Sequence, residues 1–182
     1  MNRRTVLKFG LGGAALMAVS GVGLGLRKGV LRAPAAPLQV LGPMEYSVLA
    51  AVADRMLPAG DGFPSAANLQ VAEAVDTLLA RSEPQVGVEL QQLLGLLENA
   101  LVGLLFAGPA TPFTALSTTQ QDAVLQAWKD SRLTVRRMGF RVLRSLCLST
   151  YFSNPATYAL VGYPGPPDFS SIAAPEPLAV PQ

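Results

Sequence analysis

The sequence predicts an all-α domain, a compact bundle of about five helices. Three observations predict it. Apolar residues recur at helical spacing from residue 43 to about 152. Proline and glycine gather at the breaks between these stretches. No run alternates apolar and polar residues over the length of a strand. Half of the 182 residues are apolar and 14% are charged, which is material for one domain with a core of its own.

The elements follow in order. Pro43 suits the first turn of a helix running to Met56, on which Tyr46, Leu49, Ala50, Ala53, Met56 and Leu57 keep helical spacing, and Pro58 stops it. Ala59 to Pro64 is turn chemistry. Asn68 is the expected cap of a second helix over 69–82, with Val71, Val75, Leu78 and Leu79 as its stripe and Glu83-Pro84 as the break. A third helix is expected over 85–106. Leu90, Leu93, Leu94, Leu97, Leu101, Leu104 and Leu105 make one stripe, widened by Leu96 and Val102. This reads as the central helix of the bundle, and Glu89, Gln91, Gln92, Glu98 and Asn99 argue against a membrane span. After the loop Gly108–Pro112, Ser117 and Gln120 form a capping box for a helix to about Asp130, with Val124, Leu125 and Trp128 inward. A fifth helix covers about 132–152. Asn154 and Pro155 announce a short turn that ends at Gly162, and a Pro-rich tail follows.

Charge and residue usage exclude whole classes of function. Six of the 14 basic residues (Arg3, Arg4, Lys8, Arg27, Lys28, Arg32) lie before residue 36, and none of the 12 acidic ones does. The rest of the chain is therefore acidic, with 8 basic against 12 acidic residues, which is a poor footprint for nucleic acid. There is no histidine, so a Ser-His-Asp or Cys-His centre and any His-ligated metal are impossible within this chain. The single cysteine, Cys147, excludes a disulfide framework, an iron–sulfur cluster and a Cys-x-x-Cys-His haem site, and reads as a small buried hydrophobe. Glu73 and Asp76, one turn apart, could do acid–base work, but acids at such spacing are common on helix surfaces.

The helix from Arg132 to Phe152 is the most informative element. Val135, Met138, Val142 and Leu146 share one face, and Leu133, Phe140, Leu143 and Cys147 a second. Two apolar faces predict burial from both sides. Arg137, Arg141 and Arg144 form a narrow stripe between them. These arginines either bridge Asp54, Glu73, Asp76 or Asp122 inside the bundle or face a partner, since arginine is favoured at interfaces. Beyond it, Gly162-Tyr163-Pro164-Gly165-Pro166-Pro167 is a stiff strap bearing an aromatic ring. It can pack on its own domain or dock on another protein.

The N-terminus has the form of an export signal. Asn2-Arg3-Arg4-Thr5-Val6-Leu7-Lys8 precedes a mildly apolar, glycine-rich run from Phe9 to Leu26, then a basic trio and Ala33-Pro34-Ala35, small residues at signal-peptidase spacing. This resembles the twin-arginine (Tat) signal: Arg3, Arg4, Leu7 and Lys8 match its pattern, and Val6 stands where phenylalanine is usual. The run could also remain as an uncleaved membrane anchor. Tat carries proteins that fold before export.

Larger blocks resemble one family. The Arg-Arg signal, the first-helix run Leu49 to Pro58 with Phe63-Pro64-Ser65-Ala66, Val75-Asp76, and the block Leu116–Pro167 with Trp128, Tyr151-Phe152-Ser153-Asn154-Pro155 and the Gly-Tyr-Pro-Gly-Pro-Pro strap resemble the gluconate 2-dehydrogenase subunit 3 family. Phe152 and Tyr158 depart conservatively from its usual residues. The resemblance implies a small subunit without an active site or cofactor of its own. Its partner would be a GMC-type large subunit that carries FAD and oxidises a sugar or alcohol. A membrane-bound multihaem cytochrome c subunit often accompanies such pairs. The small subunit would engage the Tat translocase for both, help the large one mature, and reside in the periplasm at the inner membrane. The implied division is a signal over 1–35, a linker over 36–42, the subunit domain over 43–167 and a tail over 168–182. Tyr151, Tyr163, Pro164, Gly165 and Pro166 join Arg137, Arg141 and Arg144 as candidate partner contacts.

Overall fold

A computed structural model describes residues 29–57, 59–99 and 111–167. Arg3, Arg4, Leu7 and Lys8 of the expected export signal, the expected stop Pro58, the leucines beyond Asn99 and the tail after Pro167 lie outside the described residues. Within them the chain is helical: α1 (Pro43–Met56), α2 (Val71–Ala80), α3 (Pro84–Glu98), a 3-10 turn at Phe113–Ala115, α4 (Thr118–Lys129), α5 (Thr134–Phe152), α6 (Pro155–Tyr158) and a closing 3-10 turn at Ala159–Val161. Among the described residues there is no strand, only an isolated antiparallel bridge between Gly60 and Phe63 that closes the expected turn.

The bundle is built around α1, not around the third helix. Seven consecutive or near-consecutive residues of α1, from Tyr46 to Ala53, are buried, because α2, α3, α4, α5 and the 3-10 turn at Phe113 all pack on it. Its small residues Ser47, Ala51 and Ala53 let these neighbours approach from every side. Pro43 opens it at the first turn, Glu45 sits in the first turn and Arg55 in the last, each placed to suit the helix dipole. In α3 only Gly87, Leu90, Leu94 and Leu97 are buried. That helix ends at Glu98, short of the expected 106, because Asn99 turns extended and the Glu98 carboxylate turns to Thr114, accepting its backbone N–H at 2.9 Å and its hydroxyl at 2.6 Å.

Helix starts divide into those with a local side-chain cap and those without. Ser117 and Gln120 form the expected reciprocal capping box of α4, and the Asn154 side chain accepts from Ala156 N–H at 3.0 Å to start α6. Asn68 is no cap. Its own N–H instead donates to the Ser65 hydroxyl at 3.1 Å, and Gln70, at φ 49°, makes a left-handed corner before α2 begins at Val71. The fifth helix begins two residues later than expected, at Thr134, with Leu133 as its cap residue.

The stretch read as the end of the leader and a linker lies along the bundle. The N–H of Val30 donates to the Thr114 hydroxyl at 2.9 Å and that of Arg32 to the Ser47 hydroxyl at 2.9 Å, while the Arg32 guanidinium meets Asp54 at 2.6 Å. Ala35 N–H donates to Glu73 at 3.1 Å. The buried Asp76 carboxylate then accepts three successive backbone N–H groups, from Gln39 (2.6 Å), Val40 (3.0 Å) and Leu41 (2.7 Å). Glu73 also accepts from the Tyr46 hydroxyl at 2.7 Å; burial first, and this bond second, push that phenol up to about 12.

Candidate partner interface

The site is the outer face of α5 and what lies beside it. Residues Gly139, Leu143, Cys147 and Tyr151, each four after the last, are the only buried ones on α5. They form a single narrow stripe against α1, α2 and α4. Gly139 is required there: a Cβ at this position would stand 3.0 Å from the Trp128 ring of α4 and 2.6 Å from Leu93. Arg136 lies over the Trp128 ring as well, 5.5 Å from its centroid, and burial lowers its pKa. Burial likewise pushes the Cys147 thiol up to about 12, which leaves it a packed hydrophobe with little thiolate.

The second apolar face of α5 is not covered by any described residue. Val135, Met138 and Val142 are 58%, 56% and 45% exposed, against the expectation of burial from two sides. The reason is the arrangement of the helices. α3 and α5 both pack against α2 but touch each other little, chiefly where Leu93 meets Gly139. Between them runs an open trough of about 630 Å³. Val86, Leu90 and Leu93 of α3 form one wall, Val135, Met138, Val142 and Leu146 of α5 the other, and Leu79 of α2 closes one side. The sequence marked the α5 wall by its spacing and held Leu90 and Leu93 of the α3 wall in its leucine stripe, whereas Val86 fell outside that stripe.

The arginine stripe is on another side of α5: none of its three residues lines the trough, and Arg144 lines a separate pocket of about 240 Å³ with Arg55, Asp122 and Phe140. Arg141 and Arg144 are exposed and Arg137 is half-buried. Arg137 donates to the Ser131 carbonyl at 2.6 Å and to the Thr134 hydroxyl at 3.3 Å, so it ties down the start of its own helix. None of the three is in an ion pair with a described residue. The four acids that could have bridged them internally have other partners: Asp54 takes Arg32, Glu73 takes Tyr46 and Ala35, Asp76 takes the arm amides, and Asp122 lies 3.8 Å from Arg55. Five arginines and no acidic residue fall between Ser131 and Pro167.

Of the aromatic candidates, Tyr151 does not belong to a surface. It is fully buried, and its hydroxyl donates to the Pro64 carbonyl at 2.7 Å, tying α5 to the loop after α1. Its place was set by the four-residue spacing from Leu143 and Cys147. Tyr163 is 44% exposed and stands edge-on to Tyr158 at 5.0 Å, and its N–H donates to the Tyr158 carbonyl at 2.9 Å. Gly162 at φ 69° makes the corner, and Gly165 at φ 102° lies against the Tyr158 ring. Pro164 and Pro166 are exposed. The strap is thus folded back on its own helix end with an outward edge. Among the described residues no group of His, Cys, Asp and Glu could hold a metal ion, and no helix is long and apolar enough to cross a membrane.

These features define a class: a small all-α protein whose outward-facing chemistry is an apolar trough and a basic stripe along one helix. The particular family is given by comparison with known proteins. Residues 43–165 match the model of the family described as Gluconate 2-dehydrogenase subunit 3, and the chain belongs to that family. No curated protein and no solved structure matches the chain.

Proposed function

We propose that this chain is the non-catalytic small subunit of a periplasmic FAD-dependent, GMC-type sugar or alcohol dehydrogenase complex. It binds the flavoprotein subunit, assists its maturation and supplies the Tat signal that exports both. Family membership supports the place in a dehydrogenase complex. The single observation that carries the binding role is the outer face of α5: Arg137, Arg141 and Arg144 form no ion pair with any acid among the described residues. A cytochrome c subunit would complete the path for electrons to the membrane, where the complex resides.

The escort role has a direct test. Replacing Arg3 and Arg4 together with Lys preserves charge but removes the planar fork of the guanidinium. We expect both this chain and its flavoprotein partner to stay in the cytoplasm, with dehydrogenase activity lost from the periplasmic fraction. Normal export of the partner in that background would refute the escort role.

The trough favours one second reading, a free-standing periplasmic or membrane-anchored helical protein that holds an apolar ligand between α3 and α5. Its distinguishing result is an apolar molecule that co-purifies with the chain in the absence of any flavoprotein.

A further inference from the structure

We infer that the pocket shared by the C-terminal end of α1, α4 and α5 is the seat of one Asp or Glu side chain of the flavoprotein subunit, held by Arg55 and Arg144. This rests on the partner role proposed above and adds the contact point and its chemistry. The pocket has a volume of about 240 Å³. Its apolar lining is anchored in the core: Leu125 is buried, and Met56 and Phe140 are partly buried against it. Two guanidinium groups line it as well, Arg55 from the last turn of α1 and Arg144 from the arginine stripe of α5. Neither donates a hydrogen bond to a described residue. The one acid in the lining, Asp122 of α4, lies 3.8 Å from Arg55, beyond hydrogen-bond distance, and its side chain is 56% exposed.

Charge and size select the occupant. Two cations and one anion line the pocket, so it keeps a net positive charge. Arg141, three residues before Arg144 on the same helix, is exposed and in no ion pair with a described residue, which adds to that sign. One incoming carboxylate brings the balance to two against two. A guanidinium presents its N–H donors as a planar fork that matches a carboxylate, and two such forks stand here without acceptors. The apolar lining suits the methylene stem of an acidic side chain. The volume is below the roughly 300 Å³ at which cofactor and small-molecule sites begin, so it fits a side chain and not a nucleotide. Arginines set in such pockets are among the residues that carry most of an interface's energy. A second copy of this chain would have to offer an acid from a different part of its surface. That contact is heterologous and propagates instead of closing, which disfavours it for a subunit of a defined complex.

The test uses the full chain co-expressed with its flavoprotein subunit. Arg144→Gln and Asp122→Asn are made separately, and in a third variant a photo-crosslinking residue replaces Gln126, an exposed side chain at the same pocket. Arg144 is exposed and Asp122 more than half exposed, so both changes should leave the fold intact, and circular dichroism melts of the free chain check this. We expect Arg144→Gln to weaken capture of the flavoprotein about tenfold. Asp122→Asn removes the internal competitor for the two arginines and should tighten capture about threefold, whereas a bridge that serves only the fold gives no gain. The crosslink should fall on a flavoprotein peptide that carries Asp or Glu. Undiminished capture by the Arg144 variant would overturn the inference, as would weaker or unchanged capture by the Asp122 variant. So would a crosslink to a second copy or to the partner's C-terminal carboxylate, or binding to vesicles of anionic phospholipid that is lost in Arg144→Gln. If the unaltered chain captures no flavoprotein at all, the partner role itself falls and takes this inference with it, a result distinct from the others.

Discussion

Asp76→Ala should unseat the N-terminal arm and cost the domain a large part of its stability. The carboxylate is 2% exposed and accepts from three consecutive amides at 2.6, 3.0 and 2.7 Å. Hydrogen bonds to a charged group contribute about 1.5–3 kcal/mol each. Three of them set an upper bound of roughly 4.5–9 kcal/mol by that measure. The true loss is smaller, because Gln39 is exposed and water takes over its amide, whereas the Leu41 bond is buried and is not replaced. We expect a net loss of about 3–5 kcal/mol, the range for breaking one side of a buried charge-assisted set. For a domain of this size that lowers Tm by about 10–15 °C. Asp76→Asn should fall between: one amide oxygen can still serve Val40 and Leu41, but the NH2 group meets the Gln39 N–H donor to donor. Far-UV circular dichroism melts and urea titrations of the full chain read the order Asp, Asn, Ala. Amide hydrogen exchange at residues 39–41 should lose its protection in the Ala variant. An Ala variant melting within about 3 °C of the parent would refute the reasoning, since that is under about 1 kcal/mol.

Two further outcomes are expected. Gly139→Ala gains up to about 1 kcal/mol of helix propensity but drives a methyl against the buried Trp128 ring, which costs roughly 1–3 kcal/mol, so the urea midpoint should fall by about 1 kcal/mol in stability; a variant more stable than the parent would deny the close contact. Burial holds the Glu98 carboxyl above the usual carboxylate range, outweighing the opposing Thr114 bonds. The folded state therefore binds this proton more tightly than the unfolded chain, so the contribution is present below the ordinary glutamate pKa of about 4.3 and is lost as pH rises through the folded value. Glu98→Gln should give a melting temperature that declines less from mildly acidic to neutral pH than the parent's, and parallel profiles would contradict that sign.

Local signals in the sequence were reliable where one residue acts on its own backbone. Ser117 with Gln120, Asn154 with Pro155, and the glycine-rich turn before Pro64 do what their chemistry dictates. They failed where tertiary partners compete. Asn68 has capping chemistry, but Ser65 and the left-handed corner at Gln70 move the start of α2 past it. The leucine stripe made the third helix look central, yet centrality depends on how many neighbours can come close, and the small residues of α1 allow more of them. Periodicity found both apolar faces of α5 and could not say which of them would be covered. Asp76 read as a helix-surface acid because its partners are backbone amides, which carry no mark in a sequence.

The N-terminal arm ties residues read as the end of a leader to the folded domain. Arg32 lies on the leader side of Ala33-Pro34-Ala35, yet it reaches Asp54 and Ser47 on α1, two contacts that exist only after that helix has formed. The bond from Ala35 to Glu73 adds α2 to the same requirement, and the backbone bends at Ala35 and Ala36 where a peptidase needs it extended. A cut after Ala35 would remove Arg32 from the molecule and leave Asp54 facing water. Were the chain processed there, the domain before and after the cut would not be held together by the same bonds. On the proposed export reading, the docking of Val30 and Arg32 would then record, close to the leader, whether the domain has folded.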